Sequence, residues 1–112
     1  MKTLNVTDAE PNPNVHGVDA RLLYNTEHAQ LVHLTLKPGE ELKRHITPVD
    51  VFFYVLGGIG VVEVGSEKRT VGPDTVIDSP KSVVHCWYNT GDENLRILVG
   101  KVPKPTTKTT IL

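Results

Sequence analysis

Apolar and polar residues alternate with the two-residue period of a β-strand along much of the chain. Val32, Leu34 and Leu36 alternate with polar neighbours, which indicates a strand with one buried face and one wetter face. Residues 51–56 form a continuous β-branched and aromatic run, which predicts a strand covered on both faces. No window of a dozen residues shows helical periodicity, and residues 19–31, the most ambiguous stretch, favour a strand with loops. The pattern therefore predicts an all-β protein.

Turn-forming residues separate the remaining apolar runs. Further strands are predicted at residues 59–64, 75–78, 83–88 and 95–99, with polar turns at residues 65–68, 72–74 and 89–92. Short strands at regular spacing indicate a sandwich or a barrel, because these arrangements hide strand edges. Residues 1–112 are predicted to form a single domain, with residues 1–14 and 103–112 as extended arms rich in proline and polar residues. These arms are expected either to fray or to pack on a neighbouring subunit.

Composition and charge exclude several classes of protein. The 12 Lys and Arg residues nearly balance the 13 Asp and Glu residues, so nucleic acid and anionic membranes are not expected partners. No apolar run approaches the roughly 18–20 residues of a membrane span, and the first ten residues do not resemble a secretory signal. The single cysteine, Cys86, excludes an internal disulfide framework and fits a reducing compartment, so a cytoplasmic protein is expected.

Two of the five histidines lie in informative settings. His45 precedes the apolar run at residues 51–56, and His85 lies within the predicted strand at residues 83–88. Because residues two apart share one face of a strand, Thr47 is expected beside His45 and Trp87 beside His85. Two histidines on different strands that face one interior could share a divalent metal ion through neutral ring nitrogens. The histidines in weakly patterned sequence, His16 and His28, are assigned to the surface.

The order of these residues resembles the two motifs of the cupin superfamily. Gly39 is followed after five residues by His45, and the first motif closes at Gly58. The second motif, Pro-x-Gly-x-x-His-x-x-x-Asn, is matched with serine in place of glycine by Pro80, Ser82, His85 and Asn89. The resemblance covers about residues 30–100. It implies a jelly-roll barrel, the double-stranded β-helix of small single-domain cupins, and a homodimer.

The chain departs from the metal site that the resemblance implies. Cupins usually hold their metal with three histidines and a glutamate, whereas here the second histidine position is Thr47 and the glutamate position falls on Val51. The remaining candidate ligands for zinc, nickel, iron or manganese are His45 and His85, with Asp50 as the third. Strict alternation would turn Asp50 away from the interior unless the strand breaks just before it.

Two functions follow from the resemblance. The first is binding of a divalent metal by His45 and His85 in the barrel, with a possible metal-dependent reaction on a small organic substrate. The alternative is a non-catalytic module with a vestigial metal site that binds a small molecule. The residues expected to wall such a pocket are Thr47, Val51, Tyr54 and Trp87.

Overall fold

Ten β-strands and one 3-10 helix make up the regular structure of the protein. The computed structural model describes residues 1–112. The strands are β1 (Asp19–Asn25), β2 (Gln30–Leu36), β3 (Glu41–Ile46), β4 (Asp50–Gly57), β5 (Gly60–Val64), β6 (Glu67–Val71), β7 (Val76–Ser79), β8 (His85–Tyr88), β9 (Leu95–Val102) and β10 (Thr110–Ile111), and the 3-10 helix spans Val6–Asp8. The all-β prediction is confirmed. The chain forms no helix of the length and apolarity that a membrane span requires.

The strands form two antiparallel sheets of five strands each. The order is β1-β2-β9-β4-β7 in the first sheet and β10-β3-β8-β5-β6 in the second. Successive strands often change sheet, as β3 and β4 do, so residues close in sequence approach the interior from opposite sides. The predicted sandwich is confirmed, and its interior is the place where the two apolar faces meet.

The core is built from the inward residues of both sheets. Phe53, Val55 and Ile97 are completely buried, and Trp87 extends from β8 in the opposite sheet to pack on Phe53 with ring centroids 5.5 Å apart. The prediction that β4 is covered on both faces is wrong, since Phe52 on its outer face is 39% exposed. No helix covers this face, and an antiparallel sheet can leave one side in contact with water.

The sequence pattern missed one strand, β6, because most of its residues are charged. The turn predicted at residues 65–68 is shorter in the structure, because β6 begins at Glu67 and pairs with β5 in a hairpin. Most of β6 is exposed at the edge of its sheet. An edge strand of this kind buries little apolar surface and therefore carries no alternation that a sequence could show.

Both terminal arms pack on their own barrel. Pro11 forms a bridge with Arg21 in β1, and the Arg21 guanidinium donates to the carbonyl of Ala9 at 2.7 Å. At the other end, β10 pairs with β3, so that Ile111 lies opposite His45. The arms thus close one side of the sandwich. Homodimer formation stays a prediction.

Substitution of Gly58 by alanine is expected to destabilise the fold. Gly58 has a φ of +84°, and an added Cβ would lie 2.5 Å from the carbonyl oxygen of Asn94. The backbone would have to move, so we expect a loss of roughly 2 kcal/mol or more in the free energy of unfolding. Gly57→Ala is the matched control, because a Cβ at Gly57 meets nothing within 4 Å. Equal denaturation midpoints for the two variants would contradict this assignment.

Substitution of Asn89 by aspartate is expected to loosen the loop between β8 and β9. The buried Asn89 amide donates to the carbonyls of Leu36 at 2.8 Å and Glu93 at 2.7 Å. Aspartate would turn an oxygen toward two carbonyl oxygens, at a cost of about 3 kcal/mol in the free energy of unfolding. Urea denaturation measures this loss, and Asn94→Asp, on the exposed part of the same loop, should leave the midpoint nearly unchanged.

Candidate functional site

His45 and His85 meet in the interior, as the sequence predicts. They are cross-strand partners on β3 and β8, both are buried, and their Nε2 atoms lie 2.8 Å apart. A shift in register between Leu42 and His45 places an extra residue in β3. Leu42 and His45 are three positions apart and would face opposite sides of a regular strand, so this β-bulge is what turns both of them inward.

A chain of hydrogen bonds assigns the protonation of the two rings. Burial lowers the pKa of His45, and burial together with the neighbouring His45 and Lys101 lowers the pKa of His85 to about 3, so both rings are neutral at pH 7. The carbonyl of Lys43 can only accept, so His45 Nδ1 donates to it and His45 Nε2 is left as an acceptor. The proton between the rings therefore belongs to His85 Nε2.

Ser79 and Thr47 complete the surroundings of His85. With its proton on Nε2, His85 accepts at Nδ1 from the hydroxyl of Ser79, at 2.6 Å. The Thr47 hydroxyl oxygen lies 3.3 Å from His85 Nε2. Every nitrogen of the pair thus has a partner within the protein, and both rings are held in a single orientation.

The histidine pair lies in the wall of a cavity of about 340 Å³. The cavity lies between the two sheets, on the side that the terminal arms cover. Thr47 and Val51 line it, as the sequence predicts. Its other apolar walls come from both sheets and include Val32, Leu34, Leu42, Phe53 and Val99.

His16 is a site residue that the sequence analysis missed. Its ring centroid lies 4.9 Å from that of His45, and its Nδ1 accepts from the backbone N–H of Lys43 at 3.0 Å. Burial, followed by the neighbouring His45, lowers the pKa of His16 to about 4. The assignment of His16 to the surface is wrong, because the N-terminal arm folds back over the cavity. The residues around His16 show no pattern that predicts this contact.

Lys101 is the second missed residue. It follows Leu95, Ile97 and Val99 at the same two-residue spacing, on the inward face of β9, and it lines the cavity. The predicted strand stopped at residue 99, although continued alternation would have turned Lys101 inward. Burial lowers the pKa of Lys101, and its ammonium group forms no hydrogen bond or ion pair within the chain.

Two predicted pocket residues lie elsewhere. Trp87 is completely buried but does not reach the cavity, because the ring of Phe53 packs against both Trp87 and His85. Tyr54 lies on the outer face of β4, where its hydroxyl donates to Asp74 at 2.8 Å. Tyr54 is adjacent in sequence to the inward Phe53, so strand alternation excludes it from the interior.

Asp50 does not join the histidines. It is exposed, and its carboxylate accepts from the backbone N–H of Lys81 at 2.9 Å, on the outer side of β4. Strand alternation therefore holds up to the first residue of β4, and the prediction of Asp50 as a third ligand is wrong for this geometry. No group of three His, Cys, Asp or Glu residues in the chain has an arrangement suited to a metal ion.

The residues of the cavity do not fit a resident divalent metal ion. The only nitrogen ligands that the pair offers are two neutral imidazoles, and their Nε2 atoms, 2.8 Å apart, are already joined by a hydrogen bond. No carboxylate lines the cavity. Lys101 lines the same cavity, and its positive charge would repel a dication. Structural and catalytic metal centres in proteins normally combine at least three nitrogen, sulfur or oxygen ligands.

A second, larger groove of about 560 Å³ opens on the opposite side of the sandwich. It lies between the edge strands β6 and β7 and is lined by apolar residues that include Val62, Val64, Val71, Ile77 and Val83. The groove has no histidine, and its charged residues, Glu67, Arg69 and Asp78, are all exposed. The smaller cavity contains the buried histidine pair and is therefore the candidate site.

Acidification is expected to destabilise the protein through the buried histidines. His85 has a folded-state pKa of about 3 against an ordinary value of 6.5, so the unfolded chain binds more protons between these pH values. Stability is therefore full above pH 6.5 and falls below it, by about 1.4 kcal/mol per pH unit for one such histidine. Denaturation at pH 7 and pH 5 should show a loss that is about 2 kcal/mol smaller in His85→Gln than in the wild type. The control His28→Gln, on a side chain 85% exposed, should lose as much as the wild type, and an unchanged loss in His85→Gln would refute the assignment.

Comparison with known proteins agrees with this architecture. The profile of the cupin domain matches residues 32–100. No curated protein matches the chain in sequence. An RmlC-like cupin from Shewanella frigidimarina is 15% identical with a TM-score of 0.83, and the alignment covers 93% of this chain and 92% of that one. The polyketide cyclase RemF from Streptomyces resistomycificus is 19% identical with a TM-score of 0.85, covering 100% of this chain and 85% of that one.

A third similar structure is a predicted oxalate decarboxylase from Thermotoga maritima. It is 20% identical with a TM-score of 0.82, and the alignment covers 92% of this chain and 100% of that one. At these identities the similarity shows the fold alone, and the jelly roll implied by the sequence motifs is confirmed. The cupin-domain match spans more than half of the residues, so the chain belongs to the cupin superfamily.

Proposed function

We propose that this cupin binds a small organic molecule in the cavity beside His45 and His85, without a resident metal ion. The observation that carries the proposal is the cavity itself. Its volume of about 340 Å³ lies at the lower end of the range for small-molecule sites, and it combines apolar walls with a few converging polar groups. That combination is typical of a site in which apolar contacts give affinity and polar contacts give orientation.

The polar side of the cavity is organised before any ligand arrives. The Lys43 carbonyl and the Ser79 hydroxyl hold the two neutral imidazoles at fixed angles. Thr47 adds a hydroxyl on the same side. A ligand that bonds to the Thr47 hydroxyl and packs against the two imidazole rings does not have to order these groups first, which reduces the free-energy cost of binding.

The apolar side is equally well defined. Val51 and Phe53 extend from β4 in one sheet, and Leu42 extends from β3 in the other. Phe53 is completely buried and is held between His85 and Trp87, so its ring presents a rigid surface to the cavity. An aliphatic or aromatic body of the ligand would replace water along these walls, at about 25 cal/mol for each Å² of apolar surface removed from water.

A metal-dependent enzyme is the competing hypothesis. The similar structures include a polyketide cyclase and a predicted oxalate decarboxylase. In favour of a metal, a backbone carbonyl orients His45 Nε2 in the way that metal-binding imidazoles are usually oriented. Against it stand the missing third ligand and the ammonium group of Lys101.

Ligand screening of metal-free protein tests the proposal. Protein treated with a chelator and dialysed should be stabilised by at least one member of a panel of sugars, organic acids and phenolics. A ligand at 100 times its Kd would add about 2.7 kcal/mol to the free energy of unfolding, which thermal denaturation detects. Val51→Phe, which fills part of the cavity, should abolish the effect, whereas Ile59→Phe, on a side chain 55% exposed, should retain it.

The opposite pattern would support the competing hypothesis. In that case no compound would shift the melting temperature of the metal-free protein. Zinc, nickel, iron or manganese would shift it, and both His45→Ala and His85→Ala would remove the shift. Stoichiometric metal in the purified wild-type protein, lost in His85→Ala, would lead to the same conclusion.

A further inference from the structure

All the titratable side chains that line the cavity are bases. The chain contains 13 Asp and Glu residues, yet none of them lines the cavity. The titratable residues that do line it are His16, His45, His85, Lys101 and Lys108. The composition of the chain therefore does not explain the absence of carboxylates at this one place.

Among these bases, Lys101 carries the charge on which the inference depends. It extends from the inward face of β9, beyond Val99, and no acidic group pairs with it. Lys101 is half-buried. An ammonium group that loses part of its hydration without gaining a counter-charge costs free energy, and proteins normally pair such a group or leave it in water. The charge of Lys101 also contributes to the lowered pKa of each of the three histidines, which places all of them within its field. The cavity thus has a positive potential that nothing within the chain neutralises.

We propose that the ligand of the cavity is a small organic acid whose carboxylate binds the ammonium group of Lys101. This inference rests on the proposed function, since it names the chemical class of the molecule that the cavity binds. The carboxylate would supply the missing counter-charge, and the apolar body of the acid would lie against Val51 and Phe53. Ligand and site would then be complementary in both charge and polarity.

The lining favours a carboxylate over a phosphate group. Phosphate sites in proteins usually combine several donors, from arginine and lysine side chains, glycine-rich loops or backbone N–H groups at a helix N-terminus. The cavity contains no arginine and no glycine, and no helix points at it. Of the two lysines in the lining, Lys108 is exposed on the C-terminal arm, and only Lys101 extends from a strand next to the apolar walls. One such ammonium group matches an anion of one charge with an apolar body.

Matched pairs of acids and amides test the inference. The probes are benzoate with benzamide, phenylacetate with phenylacetamide and butyrate with butyramide, measured by calorimetry and by NMR on metal-free protein at pH 7. Each pair has nearly the same shape and differs in charge. We expect the acid to bind the wild-type protein roughly 10- to 100-fold more tightly than its amide, the range for a hydrogen bond to a charged group.

Variants of Lys101 assign this preference to its charge. Lys101→Met, which keeps the length of the side chain and removes the charge, should bind the acid no more tightly than the amide. Lys101→Arg keeps the charge and should keep the preference for the acid. Lys68→Met, on an exposed residue of β6, should behave as the wild type does. Lys101→Met without ligand should also melt at a higher temperature than the wild type, because an unpaired, half-buried ammonium group is replaced by an apolar side chain.

The outcomes separate this inference from the proposed function. Equal affinity of wild-type protein for acids and amides, with NMR shifts at cavity residues, would overturn the inference and leave small-molecule binding intact. A preference for acids that persists in Lys101→Met would also overturn it. Binding of neither class, together with the metal-dependent pattern described above, would overturn the proposed function itself.

Discussion

The chemistry of this protein depends on which side chains the strands turn toward the shared interior. In β4 and β9 the alternation is regular, so Val51, Phe53 and Val99 build the apolar walls. In β3 it is interrupted once, by the bulge between Leu42 and His45. Without that extra residue, His45 would face outward and His85 would have no imidazole partner. The bulge thus converts an ordinary sandwich core into a polar site.

The electrostatics of the interior follow from this arrangement. The Lys43 carbonyl forces a proton onto His45 Nδ1, and the remaining hydrogen bonds then assign the proton between the rings to His85. A neutral pair of this kind can lie near the ammonium group of Lys101, whereas a protonated pair would repel it. The same charge opposes a divalent cation and attracts an anion. One lysine therefore changes the kind of ligand that this cupin cavity is suited to bind.

The fold was largely predictable because strands with one buried face alternate apolar and polar residues along the sequence. Alternation around Val32, Leu34 and Leu36, and the motif residues from Gly39 to Asn89, predicted the sandwich and the meeting of His45 with His85. Strands that bury little were missed, since the charged residues of β6 show no period. The predictions that Asp50 and Tyr54 belong to the site were wrong for a different reason: regular alternation in β4 turns both residues outward.

The sequence by itself determined the local geometry: which residues are extended, where the turns lie, and which strands present histidines to a common interior. Only the tertiary structure decided what shares that interior with the histidines. His16 reaches the cavity through an arm that folds back from the N-terminus, and the C-terminal arm closes the same side through β10. Lys101 places a charged side chain on the inward face of β9, where the preceding inward residues are apolar. Such contacts depend on long-range packing between segments distant in sequence, and local periodicity carries no information about which of those segments meet.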